Sequence, residues 1–193
     1  MRWRENNIPM ATQPVSDRFV TVEEYLASSY DPDCEYDEGA VTERNLGEIE
    51  HSFLQGLLTS LFTVNSENWG IYCLPEQRVQ IGPRRFLVPD LCVVPLGAPW
   101  EKILTFPPLV AIEILPPEDT PRRAEEKARE YLRFGVNHVW VIDPYARVAY
   151  RGTLEGLDRV PEGELAVPGT AILVRIAELF EKLDRTRARA QQK

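Results

Sequence analysis

The period of the apolar positions changes several times along the chain, and each change marks an element. VTVEEYLA, residues 20–27, predicts a short helix with Thr21 at its cap and Glu24 three positions on, the reciprocal pair of a capping box. SSYDPD reads as a turn, and CEYDEGAVTER as a hairpin about the Asp37–Gly39 turn. Between Glu48 and Leu61, the residues Ile49, Phe53, Leu54, Leu57, Leu58 and Leu61 recur at helical spacing and predict an amphipathic helix with those residues on its core face. After the loop NSENWG the pattern turns to strands: IYCLPEQRVQI, interrupted at Pro75, then RRFLVPDLCVV, then LVAIEIL. PPEDTPRR ends that run and opens a helix, with Thr120 as its cap and Pro121 at the first position, where a missing N–H is harmless. Gly135 stops it. HVWVIDP predicts a strand, RVAYRG its hairpin partner, and AILVRIAELFEKL an apolar segment leading into a final helix. No internal repeat is visible.

Helix, consecutive strands, helix, strand is the order of an α/β domain, a mixed β-sheet flanked by helices. The strand–helix–strand unit from Leu109 through Ile142 predicts a right-handed crossover between parallel strands. A length of 193 residues suits one domain with a sizeable core. The expected division is a mobile N-terminal arm over 1–17, a single domain over 18–183, and a basic, frayed tail over 184–193 that ends in RTRARAQQK.

Composition narrows the class. No apolar run is long enough to span a bilayer, and MRWRENNIPMATQPVS has no apolar core segment, so neither a membrane protein nor a secretory signal is expected. Cys34, Cys73 and Cys92 are far apart and form no CxxC pair, which argues against a zinc knuckle or a disulfide framework and for a reducing cytoplasm. A net charge of −8 argues against a broad basic nucleic-acid surface but leaves room for a local basic groove.

The candidate chemistry begins with an anomaly. In LVAIEILPP, residues 109–117, Glu113 is the single acid in an aliphatic strand. An unpaired buried carboxylate costs several kcal/mol or gives up its charge. A cationic side chain, a metal ion or a bend that admits water would each offset that cost. Asp90 repeats the situation in FLVPDLCVV, where alternation puts it on the face of Val88, Cys92 and Val94. The third candidate is Lys127, which shares a helix face with Ala124, Ala128 and Tyr131, whereas Glu125, Glu126, Arg129, Glu130 and Arg133 lie elsewhere. Taken singly, each has a plain alternative: a sheet-edge acid, an acid paired to arginine, a snorkelling lysine. Together they make a coherent cation site.

LVPD followed about twenty residues later by AIEIL resembles the PD-(D/E)XK nuclease superfamily. TVEEYL, DPDCEYDEG, GEIEH, VPDLCVV, AIEILPPEDT, K-AREYLRFGV and HVWVIDP, in that order, resemble the Uma-type restriction endonuclease family, over residues 20 to 180 or so. The resemblance implies a restriction-endonuclease-like fold and metal-dependent hydrolysis of DNA phosphodiesters. Asp90, Glu113 and the backbone carbonyl of Ile114 would hold Mg²⁺ or Mn²⁺, and Lys127 would act on the attacking water. The position two after Glu113, where the superfamily has its lysine, is Leu115 here, so the lysine would come from the following helix. Glu48, Glu50 and His51 are available in GEIEH: His51 is a candidate for catalysis or for a structural role, and ranks ahead of Glu50. Arg122 and Arg123, with Arg84 and Arg85, are candidates for phosphate contacts. His138 reads as structural, and Tyr131 and Trp140 as core. Cutting both strands would need two sites, so a homodimer is expected. The alternative is a catalytically silent nuclease-fold protein that binds DNA or regulates.

Overall fold

The computed structural model describes residues 19–30, 33–43, 48–117, 121–160 and 163–192. In chain order these form α1 (Val22–Ala27), β1 (Cys34–Asp37), β2 (Ala40–Glu43), α2 (Ile49–Val64), α3 (Ser66–Trp69), β3 (Ile71–Pro75), β4 (Val79–Gly82), β5 (Arg85–Leu87) and β6 (Leu91–Pro95). They continue as β7 (Val110–Ile114), α4 (Pro121–Phe134), β8 (His138–Asp143), β9 (Val148–Gly152), β10 (Leu157–Val160), β11 (Glu164–Ala166), β12 (Leu173–Arg175) and α5 (Ile176–Gln191). The expected arm and the Thr120 cap lie outside the described residues.

Local chemistry explains the start. Thr21 and Glu24 cap α1 reciprocally, as the capping box predicts. The β1–β2 hairpin turns at Glu38 and Gly39, both with positive φ, which is the backbone that a tight two-residue hairpin requires. The tyrosine rings at 25 and 36 stack with centroids 5.0 Å apart, and Phe86 packs against both. This aromatic cluster fastens α1 to a four-stranded sheet of order β2-β1-β5-β4.

The larger sheet has six strands in the order β10-β9-β8-β7-β6-β3. β7 and β8 are parallel and joined through α4, as the crossover rule predicts, and the remaining pairs are antiparallel. Alternation along β7 divides the core. Ile112 and Ile114 face α2 and α5 with Leu58, Phe62 and Trp140, while Ala111 faces α4 with Ala128 and Tyr131.

Four expectations are corrected. IYCLPEQRVQI is two strands, β3 in the larger sheet and β4 in the smaller. RRFLVPDLCVV likewise splits into β5 and β6, so Asp90 stands in the bend between two sheets and not inside a strand. Pro89 has no N–H for a ladder, which is a physical reason for the chain to leave one sheet there and enter the other. Ile49 is 80% exposed, because the buried stripe of α2 runs through His51, Leu54, Leu58 and Phe62. The basic segment after residue 184 continues α5 as helix through Gln191. The patterning also missed the short strands β10 and β11. No helix among the described residues is long and apolar enough to cross a membrane.

Candidate active site

The larger sheet ends where β6 begins and β7 finishes. Leu91 pairs with Ile112, so the antiparallel register carries Asp90 toward Glu113 one step further on. Because the sheet stops here, side chains from its two faces can meet around its end. A cavity of about 50 Å³ opens at this point, lined by Asp90, Glu113, Lys127, His51, Ile114 and Arg123, with Glu35 joining them.

Asp90 is 2% exposed and tightly held. Its Oδ2 accepts the Ile114 N–H at 2.6 Å and lies 3.2 Å from His51 Nε2. Its own backbone carbonyl accepts from the Glu76 N–H at 3.2 Å and from Gln55 Nε2 at 3.2 Å, so the bend is fixed from both sides. His51 arrives because it is the first member of the buried stripe of α2 and sits level with the end of the sheet.

Glu113 is 8% exposed and answers the anomaly in the strand with a cation and a hydroxyl. Lys127 Nζ donates to its carboxylate at 2.9 Å, and the Tyr131 hydroxyl donates to Oε1 at 2.8 Å. Lys127 and Tyr131 are one helical turn apart on the same face of α4, which stacks both donors over one acid. Burial pushes the Tyr131 phenol well above its ordinary pKa, and the Glu113 charge adds to that, so it remains a donor. Tyr131 is thus core, as predicted, and also a partner of the site. Leu115, two positions after Glu113, packs with Ala124 and Val141.

Lys127 has a second partner. Its Nζ lies 2.6 Å from Glu35 Oε1, on β1 of the smaller sheet. Glu35 escaped the sequence reading because alternation in CEYD puts it on the polar side of a hairpin, with Asp37, and nothing in that pattern says what covers the face. Tyr131 carried a legible signal in its spacing from Lys127.

The arginines separate. Arg123 lines the cavity. Arg122 is turned outward and pairs with Glu126 at 3.2 Å. Arg85 grips Glu130 through two nitrogens at 2.7 and 2.8 Å, and Arg84 pairs with Glu38. His138 opens β8, and burial lowers its pKa.

The donors suit a hard cation. Three carboxylates line the cavity with Lys127 and Arg123, and their oxygens, the ligand type Mg²⁺ and Mn²⁺ take, outnumber the single imidazole of His51. Among the described residues, no group of three or more His, Cys, Asp or Glu side chains is placed to hold a metal ion. Two acids with open positions suit an ion that keeps much of its own water.

A solved structure described as "a putative nuclease belonging to DUF820 from Anabaena variabilis ATCC 29413" is similar in fold. It superposes with a TM-score of 0.72 at 22% identity, covering 84% of this chain and 98% of that one. Among curated proteins, none matches. A family model, Uma2, described as "Putative restriction endonuclease", matches residues 22–174. That span runs from the start of α1 into β12 and takes in every residue lining the cavity, and on it the chain belongs to the Uma2 family.

Proposed function

We propose that the chain is a divalent-metal-dependent endonuclease that hydrolyses DNA phosphodiester bonds. The observation that carries this reading is the meeting of Asp90, Glu113 and Lys127 at one small cavity, from three separate elements. Asp90 and Glu113, with the backbone carbonyl of Ile114, would hold Mg²⁺ or Mn²⁺. Such an ion supplies positive charge against the phosphate and makes nearby water more acidic.

The protein's own groups do the rest. The Ile114 N–H and His51 hold the Asp90 carboxylate in one orientation. The Tyr131 hydroxyl does the same for Glu113. Lys127 orients the attacking water and neutralises charge that builds on the phosphate oxygens. Hydrolysis forms one P–O bond to the water oxygen and breaks the P–O bond to one ester oxygen, which leaves with a proton. Arg123, with Arg122 beside it at the outer edge, contacts flanking phosphates and gives an acidic protein a local hold on a polyanion. A twofold dimer would supply the second site needed to cut both strands.

Supercoiled plasmid incubated with Mg²⁺ or Mn²⁺, and with EDTA as control, tests the reading. Cleavage by the wild type that EDTA abolishes and Glu113→Gln lowers at least ~100-fold supports it. Equal background from both proteins overturns it. One observation favours the rival, a silent DNA-binding protein: Lys127 and Tyr131 already donate to Glu113. Salt-sensitive DNA binding without cleavage would establish that alternative.

A further inference from the structure

Lys127 enters the cavity from a helix, so its ammonium rides on a flexible four-carbon stem and not on the strand that carries Glu113. Two carboxylates fix it, Glu113 at 2.9 Å and Glu35 at 2.6 Å. Glu35 comes from the smaller sheet, and its side chain is 12% exposed. Its place is set by its neighbours. Cys34 and Tyr36 are buried; the Tyr25 hydroxyl donates to the Cys34 carbonyl at 2.7 Å, and the Tyr36 hydroxyl to the Val20 carbonyl at 2.9 Å. Asp37, on the same face of β1, lies 3.6 Å from Arg85, which grips Glu130 of α4. β1 is therefore tied to α1 on one face and to α4 on the other, with Glu35 over Lys127.

A divalent cation held by Asp90 and Glu113 draws on the Glu113 lone pairs and repels the ammonium. With Glu113 as its one counter-charge, Lys127 would either block the ion or be driven out. We infer that Glu35 is a positioning residue, the carboxylate that retains Lys127 in the cavity when Glu113 turns to a divalent ion. The inference rests on the metal-site reading above and deepens it. It gives the smaller sheet a role in a site otherwise built on the larger one.

Calorimetric titration of the full chain with Mn²⁺ tests this in a four-protein cycle: wild type, Glu35→Gln, Lys127→Met and the double variant. Acting through Lys127, Glu35→Gln weakens Mn²⁺ about tenfold in the wild-type background and less than about twofold in the Lys127→Met background. Glu35→Asp, which keeps the charge, recovers part of the loss. Equal losses in both backgrounds would make Glu35 a ligand of the ion, and no loss in either would make it a bystander; both overturn the inference while leaving the metal reading intact. Failure of the wild type to take up millimolar Mn²⁺ removes the metal reading and this role together. Uptake without plasmid cleavage removes the nuclease reading and leaves the cycle decisive. Should either variant fail to fold, a wild-type crystal grown with Mn²⁺ decides: Lys127 Nζ on Glu35 and off Glu113 supports the inference, and Lys127 still on Glu113, or Glu35 on the ion, overturns it.

Discussion

Two cations join the smaller sheet to α4, and each lies between two carboxylates. Arg85 sits between Glu130 of α4 and Asp37 of β1; Lys127, itself on α4, sits between Glu113 of β7 and Glu35 of β1. The contacts look alike, but the surroundings differ. Arg85 meets Glu130 fork to fork, and Asp37 is 57% exposed, so water screens the surplus charge. The side chains of Glu35 and Glu113 are 12% and 11% exposed, and Asp90 stands beside them. Charge there is little screened by water, and Lys127 and Arg123 line the same cavity. The first cluster is a structural tie with its valences filled. The second gathers three carboxylates at one cavity, the arrangement that attracts a further cation.

That contrast sets an order of effects. Lys127→Met should cost the most stability, about 3–5 kcal/mol, because two enclosed carboxylates lose their shared counter-charge. Urea unfolding at neutral pH measures it, and a loss under about 1 kcal/mol would mean that both acids are solvated, erasing the difference between the clusters. The same variant should be rescued by ion: millimolar Mn²⁺ should raise its melting temperature more than that of the wild type, since the ion replaces the missing positive charge. Tyr131→Phe removes one hydrogen bond to a buried carboxylate and should cost about 1.5–3 kcal/mol in the same unfolding assay. Arg85→Ala, at the screened cluster, should cost about 1 kcal/mol and leave Mn²⁺ affinity unchanged. Salt should sharpen the contrast last: from roughly 0.05 to 0.5 M NaCl the Arg85→Ala loss should shrink, whereas the Lys127→Met loss persists, because mobile ions screen exposed pairs and not enclosed ones.

Much of this was legible in the chain. The Thr21–Glu24 capping box, the turn before Ala40, the α4 boundaries at Pro121 and Gly135, and the parallel β7–β8 crossover all follow from residue chemistry within a few positions. So did Asp90, Glu113 and Lys127, because each breaks an apolar pattern at its own position. What failed was whatever depended on a second element. Ile49 fits the helical period but lies off the buried stripe of α2, which runs through His51, Leu54, Leu58 and Phe62. IYCLPEQRVQI and RRFLVPDLCVV read as single strands because periodicity along a chain carries no mark of which sheet each half joins.

By itself the sequence determined the longer helices, where strands run, and the presence of three charged residues in apolar company. Tertiary structure alone decided what those charges meet. It bent the chain at Asp90 between two sheets, ended the larger sheet so that His51 and Lys127 reach one cavity from opposite faces, and set Glu35 against Lys127, far apart in the sequence. The physical reason is range. Helix period, strand alternation and caps act over a few residues, whereas an ion pair is specified by coordinates that the local pattern of either partner does not contain.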